Sequence, residues 1–348
     1  MQASPNRSTQ SQGSTNEIRV GWTSGKTAAP LDTVLITHLG SSPYLEICVR
    51  RAMKAANRVV LLGDEQNADL GIGEHHLVTD PSLQDGIGEF RSAYQHWSRS
   101  QKVDFERFCI ERWFLIRNFL RRENLDGCLA IDSDVLLFGN VAEESMRFSA
   151  YSMTFGRWDS VRAVPHCNFL RGREAIEDFC SYVMDVYSNS GKLNQLAVIN
   201  RKKFKSAWIS DMSLLASWGA SSRFPIGYLE NTVAEGVGFD SCLDDIRTYV
   251  GRRFLPGVLK PWKRITFRDG VPYATIRSNG LTIPMKCIHY HGRMKILMDR
   301  HDRCVAEDWP IVFRMLARKL MGLRSKFELF FRNYIAPLFR RASEIQER

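Results

Sequence analysis

The stretch Leu129-Ala130-Ile131-Asp132-Ser133-Asp134-Val135-Leu136-Leu137-Phe138 places two acidic residues inside an otherwise apolar run. Apolar residues on both sides predict that the chain enters and leaves this point through a hydrophobic core. Two carboxylates at the end of a buried strand are costly unless a positive charge lies beside them, and a divalent cation is the usual solution. Acidic pairs also occur in solvated turns and helix caps, but a surface turn is not framed by apolar residues in this way.

The two acids lie one residue apart at the predicted end of a strand. Strand alternation puts Asp132 and Asp134 on one side, so that both can reach the same ion. Carboxylate oxygens are hard ligands and suit Mg²⁺ or Mn²⁺, which can keep open positions for the oxygens of a diphosphate. The pattern therefore predicts a metal site at the carboxyl edge of a sheet.

The chain before this motif predicts a β-α-β start. The apolar runs 33–37, 58–62 and 128–131 read as strands, while 44–56 and 104–123 have apolar residues at helical spacing. Strands that are apolar almost throughout predict a parallel sheet with helices on both faces. Ligands bind such sheets at the carboxyl ends of the strands. Two further helices are predicted at 174–187 and 211–218, followed by a region to about 285 that is punctuated by Gly and Pro.

Composition limits the classes of protein that fit. The 348 residues carry a net charge of +10, which favours an anionic partner without choosing among nucleic acid, phosphorylated substrate and acidic lipid. The eight cysteines show neither CxxC pairs nor zinc-type spacing, so core thiols in a reducing compartment are expected. No signal peptide or membrane span is predicted. We therefore expect a cytoplasmic protein, soluble or peripheral at the inner face of the membrane.

The two ends of the chain differ from its centre. Residues 1–30 are polar and lack hydrophobic periodicity, which predicts a disordered tail. Residues 309–348 carry nine Lys/Arg against three Glu, and their apolar residues recur at helical spacing. We interpret residues 301–348 as a basic amphipathic helical segment that anchors the protein to an anionic membrane surface, or alternatively packs on the domain. No recognisable nucleic-acid module accompanies the basic charge, so nucleic acid is not expected as a partner.

Two motifs carry a resemblance to a known family. Residues 129–141, LAIDSDVLLFGNV, resemble the DxD segment of GT-A glycosyltransferases. Near the other end, residues 288–295, IHYHGRMK, are similar to the H-x-x-G-x-x-K motif of glycosyltransferase family 8. The match departs from family 8 after the Lys, where Ile296-Leu297 replace the usual Pro-Trp and leave the acceptor side of the loop undefined. The likeness extends over about 33–298, strongly at the two motifs and loosely between them.

The resemblance implies roles for residues in both motifs. Asp132, Asp134 and His289 would be the metal ligands, and the nitrogen ligand tilts the choice towards Mn²⁺ over Mg²⁺. Ser133 would lie against the bound donor as the middle residue of the DxD segment. Gly292 would allow close backbone approach to the diphosphate, and Lys295 would place a point charge on it. Taken alone, His289 would more often be a buried core histidine.

The resemblance also points to residues outside the motifs. Thr37 and His38, in the turn after the first strand, would contact the nucleoside base or ribose, although an ordinary strand-helix turn fits equally well. Asp64 follows the second strand in the same way. Arg112, chosen over Arg117, would contact donor phosphate or sugar. Asp211 would bind the donor sugar, with a helix N-cap as the alternative.

These residues lead to one expected function and two alternatives. We expect a GT-A fold, a Rossmann-like mixed sheet with helices on both faces and C-terminal helices, with residues 31–300 as the catalytic domain. The expected activity is metal-dependent transfer of a hexose from a UDP-sugar donor to a glycan or lipid-linked acceptor, with retention weakly favoured. The first alternative is a haloacid-dehalogenase-type phosphatase with Asp132 as nucleophile. The second is a non-catalytic basic protein that binds membrane or nucleic acid.

Overall fold

The computed structural model describes residues 29–98, 101–252, 259–306, 312–317 and 321. Residues 1–28 of the predicted polar tail therefore lie outside the described residues. So does most of the predicted C-terminal helical segment from 307 onward. The boundaries expected for the three parts of the chain stay a prediction.

The described residues form fifteen strands, eight α-helices and four short 3₁₀ helices. The strands are β1 Thr33–Thr37, β2 Arg58–Gly63, β3 Glu74–Leu77, β4 Gly127–Asp132, β5 Val135–Leu137, β6 Met153–Asp159, β7 Arg162–Val164, β8 Cys167–Arg171, β9 Ile226–Tyr228, β10 Gly238–Phe239, β11 Gly251–Arg252, β12 Trp262–Lys263, β13 Ile265–Arg268, β14 Val271–Thr275 and β15 Thr282–His289. The α-helices are α1 Leu45–Met53, α2 Ile87–Ala93, α3 Val103–Arg122, α4 Val141–Arg147, α5 Arg173–Ser188, α6 Ser190–Phe204, α7 Asp211–Ser221 and α8 Met298–Asp302. Four 3₁₀ helices cover Glu65–Leu70, Pro81–Leu83, Leu229–Glu235 and Gly292–Leu297.

The main sheet is mixed, as expected. Its strand order is β3-β2-β1-β4-β8-β6-β7, and β9 pairs with β6. The pairs β2/β3, β1/β2 and β1/β4 are parallel, whereas β8 runs antiparallel to both β4 and β6. The change of direction occurs beside β4, the strand that ends in the acidic motif. The α/β fold class with a mixed sheet is thus confirmed.

The first strand shows how the sheet is covered on both faces. Val34 and Ile36 belong to a core that includes residues of α1, while Leu35 belongs to a second core built from α3 and α5. Each of these three side chains is fully buried. Alternating side chains of a strand point to opposite faces, so a continuous apolar run requires helices on both sides. The apolar run at 33–37 therefore accounts for the layered architecture.

A second sheet brings the far end of the chain back to the acidic motif. Its order is β10-β15-β14-β13, and β5 pairs antiparallel with β15. The register sets Val135 opposite His289, and the backbone N–H of Tyr290 donates to the carbonyl of Asp134 at 2.9 Å. Strand pairing therefore carries the residue after Asp134 directly beside His289.

The C-terminal residues that are described pack on the domain. Residues 312–317 are helical, and Val312 and Met315 are buried in the core that contains α1. This contact agrees with the packing alternative for the start of the segment. Within the described ranges, no helix has the length and apolar composition needed to span a bilayer. Membrane attachment by the later residues stays a prediction.

Candidate active site

The acidic motif lies at the carboxyl edge of the parallel strands. Asp132 is the last residue of β4, and Ser133 and Asp134 form the turn into β5. In the parallel pairing of β1 with β4, Thr37 lies opposite Asp132, so two strands end side by side here. The Asp132 side chain is 24% exposed and that of Asp134 is 11% exposed. Both carboxylates are thus largely withdrawn from water but lie at an edge where a ligand can reach them.

Asp134 is held by two cationic side chains from the distant motif. Its carboxylate lies 3.3 Å from Nε2 of His289 and 3.0 Å from Nζ of Lys295. Nδ1 of His289 lies 2.7 Å from the carbonyl oxygen of Ser241, which can only accept, so Nδ1 must be the donor. A metal-binding histidine usually has its second ring nitrogen bonded to a carbonyl or carboxylate in this manner. The Ser241 contact therefore orients Nε2 towards the acidic motif.

The side chains of Asp134, His289 and Lys295 shift one another's pKa. Burial lowers the pKa of His289, but the Asp134 carboxylate outweighs it and raises the pKa to about 9. Burial opposes ionisation of Asp134, yet His289 and Lys295 hold the pKa of that carboxyl below its usual range. The pKa of Lys295 is also raised, because attraction to Asp134 exceeds the effect of burial. At neutral pH, two positive charges therefore surround the Asp134 carboxylate.

Asp132 is compensated by a different cation. Arg112, on α3, donates from one terminal nitrogen to the Asp132 carboxylate and from the other to Oδ2 of Asp211 at 2.7 Å. The second nitrogen also lies 3.3 Å from the carbonyl of Pro165. Burial disfavours the charged guanidinium, but the attraction of the two carboxylates outweighs burial and raises the pKa of Arg112 above its usual value. Arg112 therefore bridges the acidic motif and the first residue of α7.

The structure bears on two alternatives from the sequence: whether Asp211 is a helix N-cap, and whether Arg112 or Arg117 lies at the site. The Asp211 side chain is 7% exposed, and burial together with the charge of Asp132 raises its pKa against the attraction of Arg112. Ser210, not Asp211, is the N-cap of α7, and its backbone N–H donates to Oγ of Ser213 at 3.1 Å. Arg117 bonds to Asp85 instead of the acidic motif. Of the two arginines considered on this helix, the structure brings Arg112 to the site.

Three predicted ligands converge in a donor set that fits a divalent cation. One ligand atom each of Asp132, Asp134 and His289 lies within 4.8 Å of the other two. Two carboxylate oxygens and one imidazole nitrogen suit Mn²⁺ and, with a weaker preference, Mg²⁺. The neighbouring Lys295 and Arg112 show that this cluster of carboxylates requires positive charge. The arrangement can hold a metal once the His289 proton is displaced.

The predicted nucleoside side lies along the same edge. Nδ1 of His38 is 2.8 Å from Oγ of Ser133, which joins the turn after β1 to the acidic motif. Burial and the charge of Lys295 lower the pKa of His38, so it is neutral at neutral pH. Asp64 accepts from the backbone N–H of Gly40 at 2.7 Å and caps the 3₁₀ helix that follows β2. Asp64 therefore has a structural role in shaping the turn beside Thr37 and His38.

Gly292 and Lys295 belong to one short helix beside the acidic motif. Gly292 has φ of 57°, in the left-handed region that favours glycine, and open space where a Cβ would lie. The 3₁₀ helix Gly292–Leu297 carries Lys295 inward, where Nζ lies 3.1 Å from the hydroxyl of Tyr44 and 4.3 Å above its ring. The Lys295 side chain stays 30% exposed, so it can reach a ligand.

Sequence reasoning missed three residues that support the site. Tyr44 contacts Lys295, Ser241 orients His289, and the ring of His166 stacks on that of His289 at 4.8 Å between centroids. Burial, followed by the charge of His289, lowers the pKa of His166 well below its usual range, so His166 is neutral. Tyr44 had a local signal, an aromatic at the start of the helix after the His38 turn. Ser241 and His166 had none, because only tertiary packing brings them to His289.

Comparison with known proteins gives loose likenesses to solved structures. No protein-family model and no curated protein matches the chain. Mouse xyloside xylosyltransferase 1 in its apo form aligns over 57% of this chain and 84% of its own, with 11% identity and a TM-score of 0.40. Galactosyltransferase LgtC, in complex with donor and acceptor sugar analogues, aligns over 75% and 87% respectively, with 11% identity and a TM-score of 0.35. The glycosyltransferase PaToxG aligns over 56% and 70%, with 11% identity and a TM-score of 0.34.

Proposed function

We propose that this protein is a metal-dependent glycosyltransferase that moves a hexose from a nucleotide-diphosphate sugar, UDP-linked, to a glycan or lipid-linked acceptor. The observation that carries the proposal is the convergence of Asp132, Asp134 and His289 within 4.8 Å, although His289 is far from both in sequence. Lys295 joins the same cluster from the offset that the H-x-x-G-x-x-K pattern requires. The two resemblances noted in the sequence thus meet at one place in the fold.

The chemical task is to expel a diphosphate while positive charge develops at the anomeric carbon of the sugar. Asp132, Asp134 and His289 would hold Mn²⁺ or Mg²⁺, which supplies Lewis-acid neutralisation of the leaving diphosphate when bound. The partly exposed ammonium of Lys295 would add a second positive charge on the same oxygens. Gly292, with open space at its missing Cβ, would let the backbone approach the diphosphate.

Arg112 and Asp211 would act as a positioned pair. Arg112 spans from Asp132 to Asp211, so its guanidinium borders the place where donor phosphate or sugar would lie. Asp211 is buried and bonded to Arg112, and we assign it to holding this arginine rather than to removing a proton from an acceptor. Without a general base at that position, a retaining transfer is favoured over an inverting one.

The nucleoside would lie over the ends of β1 and β2. Neutral His38 can hydrogen-bond a base or ribose without adding charge, and its contact with Ser133 links that position to the metal ligands. Thr37 ends the neighbouring strand opposite Asp132. Asp64 would act by keeping the Gly40 turn in place.

The alternatives are less well supported by the same geometry. A haloacid-dehalogenase-type phosphatase places its nucleophilic Asp after the first strand of its chain, whereas three described strands precede β4 here. The Asp132 carboxylate is also paired with Arg112, which reduces its nucleophilicity. A basic binding protein was inferred from the C-terminal charge, most of which lies outside the described residues.

The test is nucleoside diphosphate release from a panel of UDP- and GDP-hexoses, with Mn²⁺ or with a chelator. We expect one UDP-hexose to be turned over in Mn²⁺, to raise the melting temperature, and to be inert in the chelator. His289→Ala should abolish release, whereas the matched change His96→Ala, on a half-buried histidine outside the site, should not. Undiminished release by His289→Ala, or release that ignores the chelator, would refute the proposal.

A further inference from the structure

A second group of potential metal ligands lies beside the candidate active site. Cys242 and Asp244 follow β10, and His291 follows β15. One ligand atom from each of the three lies within 4.8 Å of the other two, and Sγ of Cys242 lies 2.9 Å from Oδ1 of Asp244. Strand β10 pairs in parallel with β15, and this pairing brings the three residues together.

The chemistry of these ligands differs from that of the candidate catalytic set. A thiolate is a soft ligand that Zn²⁺ accepts readily, while Mg²⁺ and Mn²⁺ prefer oxygen. Cysteine sulfur, histidine nitrogen and one carboxylate oxygen provide three of the four ligands of a tetrahedral zinc site. The fourth position would be open to water, because His291 is exposed and Asp244 only half-buried.

A reactive cysteine is the main competing explanation, and the surroundings argue against it. Cys242 is 2% exposed, and burial together with the adjacent Asp244 carboxylate raises the pKa of its thiol. A nucleophilic cysteine needs the opposite, an electropositive and accessible environment. A bound cation would stabilise both the thiolate and the carboxylate, and the thiol proton would pass to solvent.

We propose that Cys242, Asp244 and His291 form a zinc site that is separate from the Asp132, Asp134 and His289 set. A zinc ion at this position would also affect the orientation of His289 in the neighbouring site. The carbonyl of Ser241, the residue before Cys242, orients His289, and the rings of His289 and His291 lie 6.1 Å apart. An ion between Cys242 and His291 would tie the segment after β10 to the end of β15, and so fix the orientation of His289.

Cobalt substitution tests this site independently of sugar transfer. With Co²⁺, the full-length protein should show a thiolate-to-cobalt charge-transfer band in the near ultraviolet and the visible bands of tetrahedral Co²⁺, and Zn²⁺ should displace both. His291→Ala, a change at an exposed position, and Cys242→Ser should each lower Zn²⁺ affinity at least about 100-fold. Cys304→Ser is the matched control, because that partly exposed thiol lies outside the cluster and its loss should leave the band intact.

The double variant Asp132→Asn/Asp134→Asn separates the two sites. The charge-transfer band should persist in that variant, since its thiolate ligand is untouched, even if the proposed transferase activity is lost or was never present. Absence of the band in the wild type would overturn the zinc proposal. So would a band that survives both His291→Ala and Cys242→Ser, or one that disappears in the Asp132/Asp134 double variant.

Discussion

The two aspartates of the acidic motif lie one residue apart but are neutralised in different ways. Asp132 faces Arg112, whose charge is permanent and whose second carboxylate partner, Asp211, is buried. Asp134 faces His289, whose pKa it raises to about 9, and Lys295, which is 30% exposed. The Arg112 side is thus a fixed structural network, whereas the His289 side can exchange a proton for another cation.

This difference suggests how one site can serve both stability and chemistry. Arginine holds two carboxylates in a fixed geometry because its planar guanidinium presents several donors at once. Histidine is a good metal ligand only after it loses a proton, so its pairing with Asp134 keeps the site charge-balanced until a metal arrives. We therefore expect removal of Arg112 to affect folding most, whereas removal of either aspartate's charge or of His289 should affect activity most.

Neutralising either aspartate should produce the largest effect on activity. Asp132→Asn and Asp134→Asn keep the shape of the side chain but remove a charged metal ligand, so nucleoside diphosphate release should fall about a thousandfold or more. Rates would be compared at saturating donor and Mn²⁺. Asp104→Asn, a change on a side chain 86% exposed, should leave the rate unchanged. A variant that keeps its rate would remove that carboxylate from the metal site.

Arg112→Ala should produce the largest effect on folding. It leaves Asp132 and Asp211 without their shared cation, and loss of one partner of a buried ion pair costs about 3–5 kcal/mol. Lys295→Ala should cost less than about 1 kcal/mol, because that side chain is partly exposed. Urea unfolding measures both free energies. If Lys295→Ala lowers the free energy of unfolding more than Arg112→Ala does, the Arg112 side is not the main structural network of the site.

The pH dependence of stability should distinguish the His289 side. The pKa of His289 is about 9 in the folded protein and 6.5 ordinarily, so its stabilising contribution is complete below about pH 6.5 and is lost as pH rises through about 9. At 1.36 kcal/mol for each unit, the maximum is about 3 kcal/mol. The gap in unfolding free energy between the wild type and His289→Gln, measured in a chelator, should therefore narrow as pH rises. A gap that widens would contradict the assignment.

Lys295 should have the smallest of these effects on catalysis. Because it adds charge to oxygens that a metal already neutralises, Lys295→Ala should lower kcat about 10- to 100-fold. Lys295→Arg keeps the positive charge and should recover part of the loss. A change confined to KM would mean that Lys295 binds the donor equally in the ground and transition states.

Five elements in the first half of the fold follow closely from the sequence. Strand β1 was predicted at its observed bounds, and α1, β2, α3 and β4 within a few residues, because their apolar runs and helical spacings are long and uninterrupted. Strands β9 to β15 were not predicted. Most of them have two to five residues and lie in a Gly/Pro-rich stretch, so their own residues show no long apolar run from which a strand could be predicted.

The candidate site also has residues with a local sequence signal and residues without one. Asp134 was named from its place in the acidic motif, and His289 and Lys295 from the resemblance to the H-x-x-G-x-x-K motif; the structure brings both into contact with Asp134. Arg112 and Asp211 were named separately, but their bond to each other depends on the packing of α3 against α7 and has no local signature. The grouping of Cys242 with His291 was likewise invisible, because it depends on the pairing of β10 with β15.

Mn²⁺ binding measured by electron paramagnetic resonance, with UDP present, tests the central claim most directly. The wild type should bind Mn²⁺ tightly, and Asp134→Asn and His289→Gln should each weaken binding at least about 100-fold while the circular dichroism spectrum in chelator still shows a folded protein. Mn²⁺ binding that is equally tight in the wild type and in both variants would contradict the claim that these side chains hold the metal.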